Sequence, residues 1–141
     1  MLQTLIGANL NAQESFEIIS RYHCIAQFSL DGTILSANDK FLSTFEYTYN
    51  ELIGQLHRRL LVDPNRPDPD YDRMWSGFSD GIARSGEILR RTKSGKVVWL
   101  QAVYCPVAGT SGSIVSTLKI ASVKTAELVD AGINAPLTKL A

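Results

Sequence analysis

The chain has 141 residues, of which 45% are hydrophobic and 20% are charged, a composition typical of one folded domain rather than a disordered segment. Fourteen Lys and Arg balance fourteen Asp and Glu, so we expect no basic surface that would attract nucleic acid or an acidic membrane. Two cysteines are too few for a disulfide framework and no apolar run has the length of a membrane span, which favours a reducing cytoplasm.

The two ends of the chain are predicted to lie outside the main domain. Residues 1–24 carry apolar side chains such as Phe16 and Ile19 at helical spacing, with Asn11 as a possible cap, and are predicted to form an amphipathic flanking helix. Residues 126–141 show no clean periodicity, and their last letters, KLA, are similar to the start of a vector-derived tail. We interpret them as a C-terminal linker with a vector-derived end.

The stretch FSLDGTILSANDKFL combines strand, turn, strand and helix start. Residues 26–30 alternate apolar and polar side chains, which is the period of a strand with one buried face. Asp31 and Gly32 follow, and this dipeptide favours a two-residue type I′ turn with positive φ at both positions. Residues 33–37 are therefore predicted to form the returning strand.

Short helices come next. Asn38 or Asp39 can cap the first of them, because a side-chain oxygen at that position satisfies a free amide of the first turn. Thr48 and Glu51 have the spacing of a capping box for the second helix, which Gly54 ends within two turns. Helices this short need to pack against a sheet to be stable.

The second half of the chain is predicted to hold one longer helix and three strands. Apolar residues at helical spacing predict the helix over residues 68–83, after a proline-rich segment. Strands are predicted over residues 86–93, 97–107 and 114–123. Two strands, several helices and three strands indicate an α+β fold, a five-stranded antiparallel sheet with short helices on one face.

Four segments occur in order along the chain: DGTILSANDKFL, YTYNELIGQ, SGEILRRTKSGKVVWLQAVYCPV and IVSTLKIASVKT. Together they resemble the PAS domain, a sensory module of signalling proteins, over residues 25–125. The pieces HRRLLVDP and KVVWLQAVYCPV are most similar to PAS domains of bacterial methyl-accepting chemotaxis receptors and related motility and biofilm-dispersal sensors. The resemblance implies a sensory module that passes a ligand-bound or conformational state to a downstream signalling domain outside this chain.

The chain departs from the PAS pattern at two positions. Glu46 stands where the family usually has Gly before Tyr47. Val123 stands where the final strand usually ends in Asp. The resemblance implies that this Asp normally carries the signal into the following helix, so the chain lacks the usual residue for that step.

Catalytic and metal sites are not indicated. The sequence offers only His23 and His57 as imidazole bases, no serine lies in a G-x-S-x-G elbow, and no phosphate-binding or dinucleotide-binding glycine motif occurs. His23, Cys24, His57 and Cys105 lack the paired spacing of a structural zinc site. We expect a module that is not an enzyme and has no metal.

Two cofactors need consideration because PAS domains hold them. His57, in GQLHRRLLVDP, lies in the region where the resemblance places a haem ligand, so a haem-based gas or redox sensor is one alternative. Its two arginine neighbours favour an exposed position instead. Photosensory relatives carry a cysteine in the corresponding helix, and residues 55–62 contain none, which excludes a photochemical flavin adduct.

A ligand pocket is expected between the inner sheet face and the middle helices. Ala102 and Gly81 leave room there that larger side chains could have closed. The paired Arg90 and Arg91 are interpreted as exposed charges. The candidate pocket residues are His57, Leu61, Met74, Phe78, Leu100, Ala102 and Leu118.

The strand over residues 97–107 is apolar on both faces, whereas a sheet covered on one side should be polar on the other. A cover for the outer face is therefore predicted, either the N-terminal helix or a second copy of the domain. Homodimerisation through Phe16, Ile19, Trp99 and Val103 is the expected result. A ligand-free dimerisation scaffold, whose pocket is filled by its own side chains, is the second alternative to a small-ligand sensor.

Overall fold

A computed structural model describes residues 9–124, and in this part of the chain five antiparallel strands form a sheet in the order β2-β1-β5-β4-β3. The predicted α+β fold is confirmed, and the predicted tail over residues 126–141 lies outside the described residues. The strands are β1 (Cys24–Ser29), β2 (Ile34–Ala37), β3 (Arg84–Arg91), β4 (Val97–Ala108) and β5 (Ile114–Val123). The helices are α1 (Ala12–Tyr22), α2 (Asp39–Phe45), α3 (Tyr49–Leu52), a 3₁₀ helix (His57–Leu60) and α4 (Pro69–Ser79).

The turn between β1 and β2 differs from the predicted two-residue turn. The Gly32 amide donates to the Ser29 carbonyl (N···O 3.0 Å), and the Ser29 amide donates to the Thr33 carbonyl (2.9 Å). Within this turn only Gly32 has positive φ, 88°. The loop is thus a type I turn closed by a glycine in the left-handed region, a geometry that leaves Asp31 in an ordinary conformation. The Asp31 carboxylate accepts from the Thr33 amide (3.0 Å) and stabilises the loop.

The helices begin at capping residues. The Asn11 side chain accepts from the Glu14 amide (2.7 Å), and the Glu14 carboxylate accepts from the Asn11 amide in return (3.1 Å). Thr48 and Glu51 form the same reciprocal pair at α3. The predicted caps Asn11 and Thr48 are therefore confirmed, and they fix where the two helices start. Asp68 caps α4 through the Tyr71 amide.

Strand β4 separates the two faces of the sheet. The residues of its inner face are buried against the helices: Val98, Leu100, Ala102 and Tyr104. On the outer face Trp99 is buried, whereas Val97, Gln101 and Val103 are exposed. The helices thus bury the inner face of β4, and three of these four outer-face residues stay exposed.

Leu118 lies on the outer face, so its predicted place in the pocket is wrong. The register of β4 with β5 pairs Leu118 with Cys105 and Lys119 with Tyr104. Paired residues of antiparallel strands share a face, so Lys119 rather than Leu118 points to the core. The β5 sequence mixes polar and apolar residues on both faces, and its alternation alone does not reveal the inner one.

Helix α1 lies beside α2 and none of its residues is buried. The Asn38 amide nitrogen joins the two by donating to the Ser20 carbonyl (3.0 Å) and the His23 carbonyl (2.9 Å). Phe16 and Ile19 remain 50% and 44% exposed. A single chain therefore does not bury the predicted contact residues of α1. Within residues 9–124, none of the helices combines the length and apolarity needed to cross a bilayer.

Candidate functional site

A narrow cleft opens on the inner side of the sheet, between α4 and the edge strand β3. Ala102 lies opposite Gly86 in the β3–β4 register, and a Cβ added at Gly86 would meet no atom within 4 Å. The cavity of about 20 Å³ holds one water-sized group. Its lining residues are Asp70, Tyr71, Met74, Arg84, Ser85, Gly86, Ile88, Arg90, Ala102 and Tyr104.

His57 is fully buried beside this cleft, between two tyrosine hydroxyls. Its Nδ1 lies 2.8 Å from the Tyr71 hydroxyl, and its Nε2 lies 3.0 Å from the Tyr104 hydroxyl. The rings of Phe28 and Trp75 approach the imidazole edge-on, with centroid distances of 5.1 and 5.3 Å. The exposed position expected for His57 is wrong, because the 3₁₀ helix directs its side chain into the core and its arginine neighbours outward.

Arg90 fixes the direction of the hydrogen bonds in this network. Its Nη2 lies 3.2 Å from the Tyr104 hydroxyl, and a guanidinium can only donate. With a protonated Tyr104, the phenol oxygen accepts from Arg90 and its proton is donated to His57 Nε2. The imidazole proton then lies on Nδ1 and is donated to Tyr71. Burial, together with the positive charges of Lys119 and Arg90, lowers the pKa of His57 well below its ordinary value and keeps the ring neutral.

Two cationic side chains share this buried region. Arg90 is 4% exposed, and its Nε has no hydrogen-bond partner among the described residues. Lys119 is fully buried, and its Nζ has no hydrogen-bond partner within residues 9–124. The Nζ lies 5.1 Å from the ring centroid of Tyr104 and 5.6 and 5.7 Å from those of Phe41 and Phe45. Burial lowers the pKa of Lys119, and the charge of Arg90 adds to that effect. None of the ion pairs among the described residues involves either cation.

Met74 and Ala102 are the predicted pocket residues that line the cleft. Phe78 and Leu100 are fully buried, but they belong to the surrounding core. Leu61 lines an adjoining cavity of about 260 Å³ near the start of α4, which shares Asp70 and Arg90 with the cleft lining. Two of the seven predicted pocket residues therefore border this cleft, and their part in ligand binding stays a prediction.

The predicted exposed position of Arg90 is wrong. Arg90 lies on the inner face of β3, two residues from Ile88, and is buried. The signal was the alternation in GEILRRT, which places Ile88 and Arg90 on one face of the strand. The room beside Ala102 comes from Gly86, not from Gly81, which is exposed and faces Ile114.

The residues present do not fit haem or a flavin adduct. Both nitrogens of His57 already contact tyrosine hydroxyls, and the cavity that His57 lines, about 210 Å³, is too small for a porphyrin. Cys24 Sγ lies 3.4 Å from the Thr44 hydroxyl, Cys105 points to the outer face, and neither lines the cleft. In the described part of the chain, no three His, Cys, Asp or Glu side chains are grouped to hold a metal.

The order of the strands, the short helices on the inner face and the cleft beneath α4 define a sensory module of the PAS type. The family profile described as PAS domain matches residues 23–121. The chain belongs to the PAS domain family, and the resemblance read from its four sequence segments is confirmed.

Two curated relatives act in bacterial behaviour, as their names state. The biofilm dispersion protein BdlA of Pseudomonas aeruginosa is 34% identical over 121 residues, which are 86% of this chain and 29% of the relative. The aerotaxis receptor of Escherichia coli is 33% identical over 78 residues, which are 55% of this chain and 15% of the receptor. The chain thus spans less than a third of either relative.

Solved structures share the fold at low sequence identity. A PAS domain from Colwellia psychrerythraea superposes with a TM-score of 0.69 at 22% identity, covering 80% of this chain and 96% of that one. A light-oxygen-voltage domain studied with a flavin analogue superposes with a TM-score of 0.65 at 18% identity, covering 91% and 96%. At these identities the comparison establishes the fold alone.

Proposed function

We propose that this chain is a sensory module that binds a small molecule in the cleft beneath α4 and passes its state to an output domain elsewhere in the protein. The observation that carries the proposal is the composition of the cleft. Gly86 and Ala102 leave space beside the buried guanidinium of Arg90 and the buried hydroxyl of Tyr71. Buried polar groups converging on a space with apolar walls are typical of a binding site.

The cellular role proposed is that of a cytoplasmic part of a bacterial receptor for chemotaxis, motility or biofilm dispersal. The names of the two curated relatives support this role. The module itself is proposed to have no enzymatic activity and to act as a homodimer, with α1 and the outer sheet face at the contact. Signal transfer in this chain would have to proceed without the usual Asp, because Val123 ends β5.

A ligand-free dimerisation scaffold is the second candidate. The observation that favours it is the small volume of the cleft, about 20 Å³, which is well below that of most sites for metabolites. In this case the aromatic side chains around His57 are simply the core. The two candidates differ in what happens when the cleft is filled.

Ala102→Phe separates the two functions. If the cleft opens to admit a ligand, the variant folds but loses the rise in melting temperature that a compound from a metabolite library gives the parent protein. If the cleft is solid core, the variant is destabilised by about 1–3 kcal/mol and no compound shifts the parent. Ala108→Phe is the matched control, because Ala108 is an exposed residue of the same strand outside the cleft.

A further inference from the structure

The strongest unexplained feature of the molecule is the charge of Arg90. Its side chain lines the cleft and is 4% exposed. Two hydrogen bonds are made, from Nη1 to the Leu89 carbonyl (2.9 Å) and from Nη2 to the Tyr104 hydroxyl (3.2 Å). These use two of the five N–H groups, and the Nε group has no partner among the described residues.

A buried guanidinium without a counterion is unfavourable. Arginine stays protonated in proteins, so it cannot remove the charge by losing a proton as a buried lysine does. Lys119 nearby is a second cationic side chain, so it does not balance the charge of Arg90. Asp63, Asp68 and Asp70 line an adjoining cavity that Arg90 also borders, but none of them forms an ion pair with Arg90, and Asp70 is paired with Arg73. An anion in the cleft would balance the charge of Arg90.

The shape of the cleft limits what this anion can be. A volume of about 20 Å³ holds only a water-sized group beside Arg90, so the cleft has to widen to admit even a small carboxylate, and a nucleotide or a sugar phosphate is excluded. The adjoining wall is apolar, formed by Met74, Ile88 and Ala102. Met74 is a flexible side chain that can move aside to enlarge the space.

We propose that the cleft binds a small organic carboxylate, with the carboxylate on the Arg90 guanidinium and the apolar part against Met74, Ile88 and Ala102. The inference rests on the sensory function proposed above and names the class of ligand for the same site. Arginine suits this role because its planar fork of N–H groups matches a carboxylate. Tyr104 and His57 hold the guanidinium in place through their chain of hydrogen bonds.

The test compares matched acids and amides. Isobutyrate and benzoate, with isobutyramide and benzamide as neutral counterparts, are titrated into the full chain at constant ionic strength. Binding is followed by protein NMR and by thermal shift. We expect each carboxylate to bind at least about tenfold more tightly than its amide, since only the acid pairs with the guanidinium. Equal binding of acid and amide, or no binding of either acid, overturns the inference.

Variants of neighbouring arginines locate the contact. Arg90→Gln should weaken carboxylate binding at least about tenfold, whereas Arg91→Gln, on the opposite face of the same strand, should leave it within about twofold. If Arg90→Gln does not fold, Arg90→Lys keeps the positive charge but removes the fork, and it should still weaken binding. Unchanged binding by a folded Arg90 variant contradicts the proposal.

The rival source of negative charge is Tyr104 itself. Burial raises the pKa of Tyr104, but the charges of Arg90 and Lys119 outweigh it, and the pKa lies below its ordinary value. Absorbance near 295 nm detects a phenolate, and Tyr104→Phe assigns it. A phenolate in the ligand-free protein at neutral pH would supply the counterion and overturn the inference. Binding of a neutral library compound in the cleft would do so too, while leaving the sensory function intact.

Discussion

His57 is the residue on which the buried polar network depends. Replacing it with Phe leaves the Tyr71 hydroxyl without its imidazole partner and removes the acceptor of the Tyr104 proton. A buried polar group left unsatisfied costs about 1–3 kcal/mol, so we expect the free energy of unfolding to fall by about 2–4 kcal/mol in urea denaturation.

Removing both ends of one bond provides the control for this variant. His57→Phe combined with Tyr71→Phe should recover part of the loss, because no hydroxyl then remains buried without a partner at that position. His23→Phe, in the partly exposed residue after α1, loses only the hydrogen bond of Nδ1 to the Ile19 carbonyl (3.0 Å) and should lower stability by no more than about 1 kcal/mol. A double variant as unstable as the sum of the singles would show that the hydrogen bond contributes nothing.

The sequence placed Ala102 on the inner sheet face but did not reveal the polar contacts around the cleft. Period-two alternation identified Ala102 on the inner face, because successive side chains of a strand point to opposite faces of the sheet. It could not show that His57 meets Tyr71 and Tyr104, since these contacts join residues 14 and 47 positions apart. The alternation of β3 places Arg90 on the inner face, but composition alone favours an exposed arginine, since arginine is rarely buried.

At the scale of the elements, Asn38 links α1 to the domain. Its Oδ1 caps α2 by accepting from the Phe41 amide (2.9 Å), and its Nδ2 donates to backbone carbonyls at the end of α1. Asn38→Asp keeps the acceptor but loses the donors, so we expect α2 to stay folded while α1 separates. Limited proteolysis should then cut near Ser20 faster than in the parent chain.

Asn38→Ala provides the comparison for that prediction. It removes the cap as well, which costs about 1–2 kcal/mol in the free energy of unfolding. The Asp variant should lose less stability than the Ala variant while showing the same cleavage near Ser20. Protection of α1 in both variants would mean that other contacts hold the helix.

Two carboxylates tie the short helices to the β3–β4 turn. Glu46, in the left-handed region with φ of 67°, accepts from the Ser94 hydroxyl and from its amide (3.0 Å); these bonds, chiefly that of the hydroxyl, lower its pKa to about 2. Glu51 pairs with Lys93, and this hydrogen bond, with that of the Thr48 amide, lowers its pKa to about 2.

These values set the acid dependence of stability. Both pKa values are lower in the folded chain than the ordinary 4.5, so the unfolded chain binds more protons between about pH 4.5 and 2. The stability that the two carboxylates contribute is therefore fully present above pH 4.5 and is lost as the pH falls from about 4.5 to 2. Urea denaturation across this range should give a shallower dependence for Glu46→Gln than for the parent, and Ser94→Ala, which loses the hydroxyl bond but keeps the amide bond, should lie between them. Parallel curves would contradict the assignment.

At the scale of the whole molecule, the fold was the most predictable property. The caps of α1 and α3 and the limits of β5 agree with the sequence because each depends on residues close together in the chain. The β1–β2 turn differs from its prediction, because Asp-Gly fits more than one hairpin geometry and the flanking strands determine which one forms. The predicted cover of the outer sheet face stays a prediction, because it depends on contact between two surfaces and not on a local sequence pattern.

The last prediction concerns that surface. Phe16 and Ile19 are half exposed on α1, and Val103 is 38% exposed on the outer face of the sheet, so isolated chains would leave apolar area in water. We expect the parent chain to be a dimer by light scattering at about 1–100 μM and to melt at a temperature that rises with concentration. Phe16→Ser combined with Ile19→Ser should give a folded monomer whose melting temperature no longer depends on concentration. Leu35→Ser, an exposed apolar residue of β2, should remain dimeric. A monomeric parent chain, or a dimer that survives both serines, would contradict the prediction.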